Sequence, residues 1–146
     1  MADTASLTIS INAPLDLCWA IATDFEKYPD WAKDVKQATV VARDAHGRAT
    51  RVEFRTSALG RSTHYTLEYD YSAAPHRLAW RMVQGDIMRA VDGAYMFASS
   101  SDGGVVLTYN LSIELIVPLP GFVKRRAEVR ILNTVKELKV RAESGS

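Results

Sequence analysis

The sequence predicts an α+β fold in which a single antiparallel sheet of seven strands curls around a long C-terminal helix. Two patterns carry this prediction. Between residues 35 and 115, apolar and polar residues alternate in six successive segments, which is the two-residue period of half-buried strands. After residue 118 the apolar residues recur every three or four positions, which is the period of an amphipathic helix.

The segment before residue 35 predicts one strand and two short helices. Apolar residues alternate with polar ones from residue 7 to residue 11, as in a strand. Asn12 can cap a helix and Pro14 suits a first helical turn, so we expect a short helix that ends near Thr23. A loop and a second short helix are expected between Asp24 and Asp34.

Six strands are predicted to follow, joined by short turns. The clearest covers residues 65–71, where three tyrosines and a leucine alternate with polar residues. The strongest hairpin signal is the Ser101–Gly104 turn. In the segment from Arg89 to Ser99 both faces are partly apolar, so the pattern does not assign its inner face. Consecutive strands with short connections form an antiparallel meander.

The C-terminal segment carries one long apolar stripe. A helix with this stripe packs on a sheet, and no other predicted element is long enough to cover the twisted sheet. The opposite side is charged and includes Lys136. The stripe consists of Leu119, Val123, Ala127, Ile131, Val135, Leu138 and Ala142. We therefore expect one helix from about Leu119 to about Ala142.

Length and composition indicate one folded domain. The chain has 146 residues, of which 47% are hydrophobic and 24% are charged. We expect a single domain over residues 1–146, with residues 143–146 as a frayed tail. The lone cysteine, Cys18, excludes an internal disulfide and a metal site built on cysteines.

The charge and the apolar runs limit the partners. A net charge of +1 produces no strong field for a nucleic acid. No stretch approaches the roughly 20 apolar residues that a membrane span needs, and the N-terminus is unlike a signal peptide. We expect no nucleic-acid partner, no stable membrane insertion and a cytoplasmic location. The sequence is compatible with a monomer or a weak homodimer.

Three segments carry a resemblance to a known family. They are Asn12-Ala13-Pro14 with the following TDFEKYPDW run at 23–31, the DGAYMF run at 92–97, and the PLPGF run at 118–122. The sequence resembles the START-like SRPBCC superfamily and, within it, the polyketide cyclase/dehydrase and coenzyme-Q-binding type. The resemblance spans nearly the whole chain and implies the helix-grip fold, also called START-like or Bet v-like. Such families include lipid carriers, aromatase/cyclases and a ribosome-associated toxin, so the fold does not fix the function.

Aromatic residues on the inner faces of the strands are the main candidates for ligand binding. An ordinary core favours aliphatic residues because a buried phenol needs a hydrogen-bond partner. Rings with one polar end suit the wall of a cavity that holds a small molecule. The alternative is that these are ordinary strand residues whose hydroxyls reach the rim of the sheet. The candidates in the strands are Phe54, Tyr65, Tyr69, Trp80, Met82, Tyr95, Phe97 and Tyr109, of which Tyr95 is placed inward by the resemblance.

Three further candidates are expected at the open end of the grip. Trp31 ends the segment of short helices, and Phe122 and Arg126 share one side of the last helix, four residues apart. In one interpretation, Trp31 and Phe122 form a lid and Arg126 meets the polar head of a ligand. In the other, the rings seal the core and the arginine is solvated.

Asp92 is the one weak candidate for catalysis. It lies in the strand whose inner face is not assigned, and beside an arginine in the cavity it could take part in acid–base chemistry. The alternative is an ion pair at the rim of the sheet. His46, His64 and His76 are expected at the surface. No metal-binding or cofactor-binding motif is present, so we expect no metal and no cofactor.

These observations favour a protein that binds a small hydrophobic or aromatic molecule, such as a lipid, a quinone or a polyketide-like aromatic. Enclosure removes the ligand's apolar surface from water, which is worth roughly 25 cal/mol per Å². Two alternatives stay open. One is a polyketide aromatase/cyclase or dehydratase, in which the cavity folds the substrate. The other is a regulatory or toxin-like partner of the ribosome.

Overall fold

A computed structural model describes residues 3–58, 61–86, 88–115 and 121–145, with side chains for 4–57, 62–86, 89–114 and 132–145. The predicted element order is confirmed. The strands are β1 (Asp3–Ile11), β2 (Val35–Arg43), β3 (Ala49–Ala58), β4 (Arg61–Asp70), β5 (Arg77–Gly85), β6 (Met88–Ser99) and β7 (Val105–Leu115). The helices are α1 (Leu15–Thr23), α2 (Tyr28–Trp31), which follows one 3₁₀ turn (Phe25–Lys27), and α3 (Gly121–Glu143).

The seven strands form one antiparallel sheet in the order β1-β7-β6-β5-β4-β3-β2. Strands β2 to β7 are the predicted meander, and β1 pairs with β7 along the whole of its length, with Leu7 opposite Tyr109. Extra residues interrupt the register, for example Val83 in β5 and Val41 in β2. Such bulges bend a strand and increase its twist, which lets the sheet curl.

The inner face of β6, which the sequence pattern did not assign, carries Val91, Tyr95 and Phe97. All three side chains are buried, whereas Asp92 and Ala98 are exposed on the other face. The faces read as equally apolar in sequence because the outward positions also hold Ala94 and Met96, which are buried or half-buried.

Helix α3 lies on the side of the inner face, as the helix-grip fold requires. Val135, Leu138 and Ala142 are buried in the same core as the inward strand residues, and Lys136 is exposed, so the predicted helical phase is confirmed there. The helix is described from Gly121, two residues after the predicted start at about Leu119, and Leu119 itself lies outside the described residues. The side chains of Val123, Ala127 and Ile131 also lie outside the description.

Polar contacts fasten the end of α3 to β1. The Lys139 Nζ atom donates to the Ser10 carbonyl at 2.7 Å and forms an ion pair with Glu143. The backbone N–H of Asn12 donates to the Glu143 carboxylate at 2.8 Å. Two expectations therefore need correction. Residue 143 is an anchored helical residue and not part of a frayed tail, and Asn12 does not cap α1, whose N-cap position is held by Pro14 without a side-chain cap. Among the described residues, no helix is long and apolar enough to cross a membrane.

The burial of the apolar stripe of α3 predicts that shortening a side chain within the stripe lowers the stability far more than shortening one outside it. Leu138→Ala removes a side chain that is 0% exposed, and we expect it to lower the free energy of unfolding by roughly 2–5 kcal/mol. Val140→Ala, two residues away at 69% exposure, is the matched control and should change it by less than about 0.5 kcal/mol. Chemical denaturation of both variants measures the difference. Equal midpoints would contradict the packing of α3 on the sheet.

Candidate functional site

The inner face of the sheet and the segment that follows β1 carry a connected set of aromatic rings, here called the aromatic wall. Each ring lies within 6.3 Å, centroid to centroid, of at least one other ring in the set. Such pairs add stabilisation beyond the area they bury. The members of the wall are Trp19, Phe25, Tyr28, Trp31, Phe54, Tyr65, Tyr69, Tyr71, Trp80, Tyr95, Phe97 and Tyr109.

Trp80 in β5 is the centre of the aromatic wall. Its ring centroid lies 5.9 Å from that of Tyr69, 5.0 Å from that of Tyr95 and 5.7 Å from that of Tyr109. Tyr95 and Tyr109 are themselves stacked at 5.2 Å. The structure thus brings together four predicted site residues that come from four different strands.

Gly93 in β6 makes room for the Trp80 indole. Gly93 is the direct partner of Trp80 in the ladder, on the inner side of the sheet. A Cβ atom at Gly93 would lie 2.6 Å from Cζ2 of Trp80 and 2.8 Å from the backbone carbonyl oxygen of Asn110. A strand glycine of this kind marks a close approach that no side chain can share.

The segment after α1 contributes rings that the sequence reasoning missed. The ring of Phe25 packs on that of Tyr69 with centroids 4.3 Å apart, and the centroids of the Tyr28 and Phe54 rings are 6.0 Å apart. Trp31 is half-buried, and its contact within the wall is with Tyr28 at 4.7 Å. The available signal was the three-residue spacing of Phe25 and Tyr28, because residues three apart share one side of a helical segment.

Trp19 in α1 was also missed, and it closes the other end of the wall. Its ring meets those of Tyr71 and Phe97 edge to face, at 6.3 Å and 6.1 Å. Phe97, a predicted site residue, is buried and lies 5.9 Å from Tyr95. Met82 is half-buried and packs against the core from the inner face of β5.

Two of the tyrosine hydroxyls donate to backbone carbonyls, and two others interact with a neighbouring hydroxyl. Tyr71 donates to the Ala49 carbonyl and Tyr28 donates to the Ala22 carbonyl, each at 2.6 Å. The hydroxyl of Tyr95 interacts with that of Tyr28. The hydroxyl of Tyr65 interacts with that of Thr56.

The hydroxyls of Tyr69 and Tyr109 differ from these four. Neither forms a hydrogen bond with any residue in the described part of the chain. Among the described side chains, no buried nitrogen or oxygen is both closed off from a water-sized molecule and without a partner. Both hydroxyls therefore border accessible space on the inner side of the sheet, although each residue is only 7% exposed.

Burial raises the pKa of all six tyrosines. Desolvation is the main cause throughout, since it penalises the phenolate. It brings the pKa of Tyr65, Tyr71 and Tyr95 to about 12. The pKa values of Tyr28, Tyr69 and Tyr109 lie well above 10, and neighbouring phenols add to the shift. The wall is therefore lined by neutral phenols near neutral pH.

Asp92 lies on the outer face of the sheet and is exposed, so the condition for its catalytic role is not met. Inner positions of β6 alternate, and Val91 and Gly93 occupy those on either side of Asp92. Asp92 lines a shallow outer groove with Arg81 and Glu68, and the Glu68 carboxylate accepts hydrogen bonds from Arg81. His46, His64 and His76 are exposed as expected. The side chains of Phe122 and Arg126 lie outside the described ones.

Comparison with family models identifies the class of the protein. The model of the polyketide cyclase / dehydrase and lipid transport family matches residues 3–140. The chain belongs to this family. Family and fold together indicate a protein that binds a hydrophobic ligand or is of the polyketide cyclase type. A search of curated proteins finds no significant match.

Solved structures share the whole fold at low sequence identity. A START superfamily protein from Mycobacterium smegmatis is 24% identical, with a TM-score of 0.89 over 98% of this chain and 99% of the other. The Zhui aromatase/cyclase from Streptomyces sp. R1128 is 14% identical, with a TM-score of 0.81 over 98% and 94%. The major latex-like protein 151 from Panax ginseng is 9% identical, with a TM-score of 0.72 over 97% of each chain. These likenesses establish the START-like fold.

The raised phenol pKa values predict the course of alkaline unfolding. The unfolded chain loses its phenol protons near pH 10, below the folded-state values. The stability contributed by the neutral phenols is therefore complete below pH 10 and is lost as the pH rises towards 12 and above. We expect tyrosinate absorbance to rise in one steep step that coincides with loss of the circular dichroism signal. A gradual rise centred on pH 10 in folded protein would contradict the burial of the wall.

Proposed function

We propose that the protein binds a small hydrophobic or aromatic ligand, such as a lipid, a quinone or a polyketide-like aromatic, between the aromatic wall and α3. The observation that carries the proposal is the pair of inward hydroxyls, on Tyr69 and Tyr109, that border accessible space within a continuous surface of rings. A solid core would pair or exclude such hydroxyls. The family's description, which includes lipid transport, supports the same function.

The predicted strand residues supply the surface in this proposal. Stacked rings offer a flat, rigid and apolar contact to a planar ligand, at little cost in side-chain entropy. Met82 adds a flexible apolar edge that adapts to different shapes. The residues proposed to contact the ligand from the strands are Phe54, Tyr65, Tyr69, Trp80, Met82, Tyr95, Phe97 and Tyr109.

The entrance is proposed to lie near Trp31. Trp31 is half-buried, contacts the wall through Tyr28 and sits in a segment tied to α3, where the Lys33 N–H donates to Glu137 at 3.2 Å. Phe122 and Arg126, on the first turns of the same helix, complete the proposed lid and meet a polar ligand head. A cytoplasmic location is part of the proposal.

A polyketide cyclase or dehydratase activity is the second candidate, favoured by the family description. In that case the same wall would fold a poly-carbonyl chain and hold reacting carbons together. Among the described side chains, the buried polar residues other than the tyrosines and Cys18 are three threonines, which are weak acids and bases. Binding is placed first for this reason. Incubation with a poly-β-ketone substrate and product analysis distinguishes the two candidates.

Binding of a neutral apolar dye tests the proposal. We expect N-phenylnaphthylamine fluorescence to rise on titration with the wild-type protein. Trp80→Leu and Tyr95→Leu should weaken the affinity about fivefold or more, since each removes a ring contact of roughly 1 kcal/mol. Asp92→Asn is the matched control, because it lies in the same strand as Tyr95 on the opposite face, and it should bind like the wild type.

Circular dichroism and thermal unfolding first confirm that each variant is folded. If the folded wild-type protein leaves the fluorescence unchanged, the hydrophobic-ligand proposal is wrong. If Asp92→Asn lowers the affinity for the dye as strongly as Trp80→Leu, the binding surface lies on the outer face and the aromatic wall is not the site.

A further inference from the structure

We infer that the ligand is uncharged at its buried end and carries there a carbonyl-type oxygen that accepts hydrogen bonds from Tyr69 and Tyr109. This inference rests on the proposed function and narrows its ligand class. Quinones and polyketide-like ketones belong to this class of ligand. Hydrocarbons and lipids that would bury a carboxylate do not.

Position is the first part of the argument. Tyr69 and Tyr109 come from non-adjacent strands, and both rings contact Trp80, at 5.9 Å and 5.7 Å. Their hydroxyls border the inner space and form no hydrogen bond with the described residues. A molecule that lies on the Trp80 region of the wall therefore meets two phenol donors that no described residue occupies.

Contrast with the other tyrosines is the second part. Tyr71 follows the last residue of β4, two positions after Tyr69, and its hydroxyl donates to the Ala49 carbonyl at 2.6 Å. Tyr28 likewise reaches the Ala22 carbonyl. In both cases a backbone acceptor satisfies the phenol, as a buried hydroxyl requires. Tyr69 and Tyr109 have no such acceptor among the described residues, so their hydroxyls are available to a ligand.

Charge is the third part. Among the described side chains, no buried residue is ionisable apart from tyrosine and Cys18. A ligand carboxylate beside Tyr69 and Tyr109 would lose its hydration without gaining a counter-charge from any described side chain, which is strongly unfavourable. Burial keeps the pKa of both phenols well above 10, so they hold their protons and act as donors. A neutral oxygen with two lone pairs can accept from one donor or from both.

A matched pair of probes tests this inference. Fluorene and fluorenone have the same tricyclic frame and differ by a carbonyl oxygen, and each is measured by displacement of N-phenylnaphthylamine. The quantity of interest is the ratio of the two dissociation constants. We expect Tyr69→Phe and Tyr109→Phe each to shift this ratio against fluorenone by about fivefold, the worth of one hydrogen bond, with fluorene affinity nearly unchanged. The double variant should show the larger shift.

Tyr71→Phe is the matched control. It removes a hydroxyl that lies two residues from Tyr69 and is bonded to the Ala49 carbonyl, so it should lower the melting temperature without altering the ratio. Tyr69→Phe and Tyr109→Phe remove unpaired hydroxyls and should melt at or above the wild-type temperature.

Each result separates this inference from the proposed function. If both probes displace the dye but the double variant keeps the wild-type ratio, the oxygen contact is wrong and hydrophobic binding stands. The oxygen contact is equally wrong if Tyr71→Phe shifts the ratio as much as Tyr69→Phe, or if neither probe displaces a bound dye. If the dye itself does not bind, both the inference and the proposed function fail.

Discussion

The contact of the Trp80 indole with the backbone of Gly93 is the constraint on which the inner face depends. Three of the tyrosines that make up the centre of the wall, Tyr69, Tyr95 and Tyr109, touch Trp80. The indole lies there only because β6 has no Cβ at that point, where one would meet both the ring and the Asn110 carbonyl. A side chain at 93 would lift Trp80 towards α3 and change the shape of the surface that the other rings present.

The hydrogen bonds of the tyrosine hydroxyls then distinguish two pairs among the six tyrosines. The Tyr28 hydroxyl donates to a backbone carbonyl of α1 and so holds the short helical segment in place. The Tyr71 hydroxyl donates to the first carbonyl of β3 and so ties the residue after β4 to that strand. The hydroxyls of Tyr69 and Tyr109 border accessible space. Because a buried phenol is costly when unpaired, the second pair is better explained by a wet or occupied interior than by packing.

Period-based reasoning predicted the fold well, since a two-residue and a 3.6-residue pattern mark inner faces directly. It placed Tyr65 and Trp80 on the inner side and Lys136 outside, as the structure has them. It could not orient Asp92, because small outward residues such as Ala94 blur the two faces of β6. In the segment after β1 it predicted Trp31 but missed Trp19, Phe25 and Tyr28, whose positions depend on tertiary contacts such as that of Phe25 with Tyr69. The hydroxyl partners were likewise unpredictable, since Ala49 accepts from Tyr71 across more than twenty residues of chain.

The distribution of charge determines which chemistry such an interior supports. The ion pairs of the described residues lie at the surface, where Glu68 bridges Arg51 and Arg81 on the outer face and Lys139 with Glu143 anchors α3. The inner surface offers phenols whose pKa values are raised away from neutrality, and a catalytic acid or base works best when its pKa lies near the operating pH. Phenols of this kind donate hydrogen bonds and orient a ligand, but they do not release protons readily. A cyclase mechanism would therefore need its proton-transfer groups from the first turns of α3 or from the substrate itself, whereas binding and orientation need only the wall that the strands already provide.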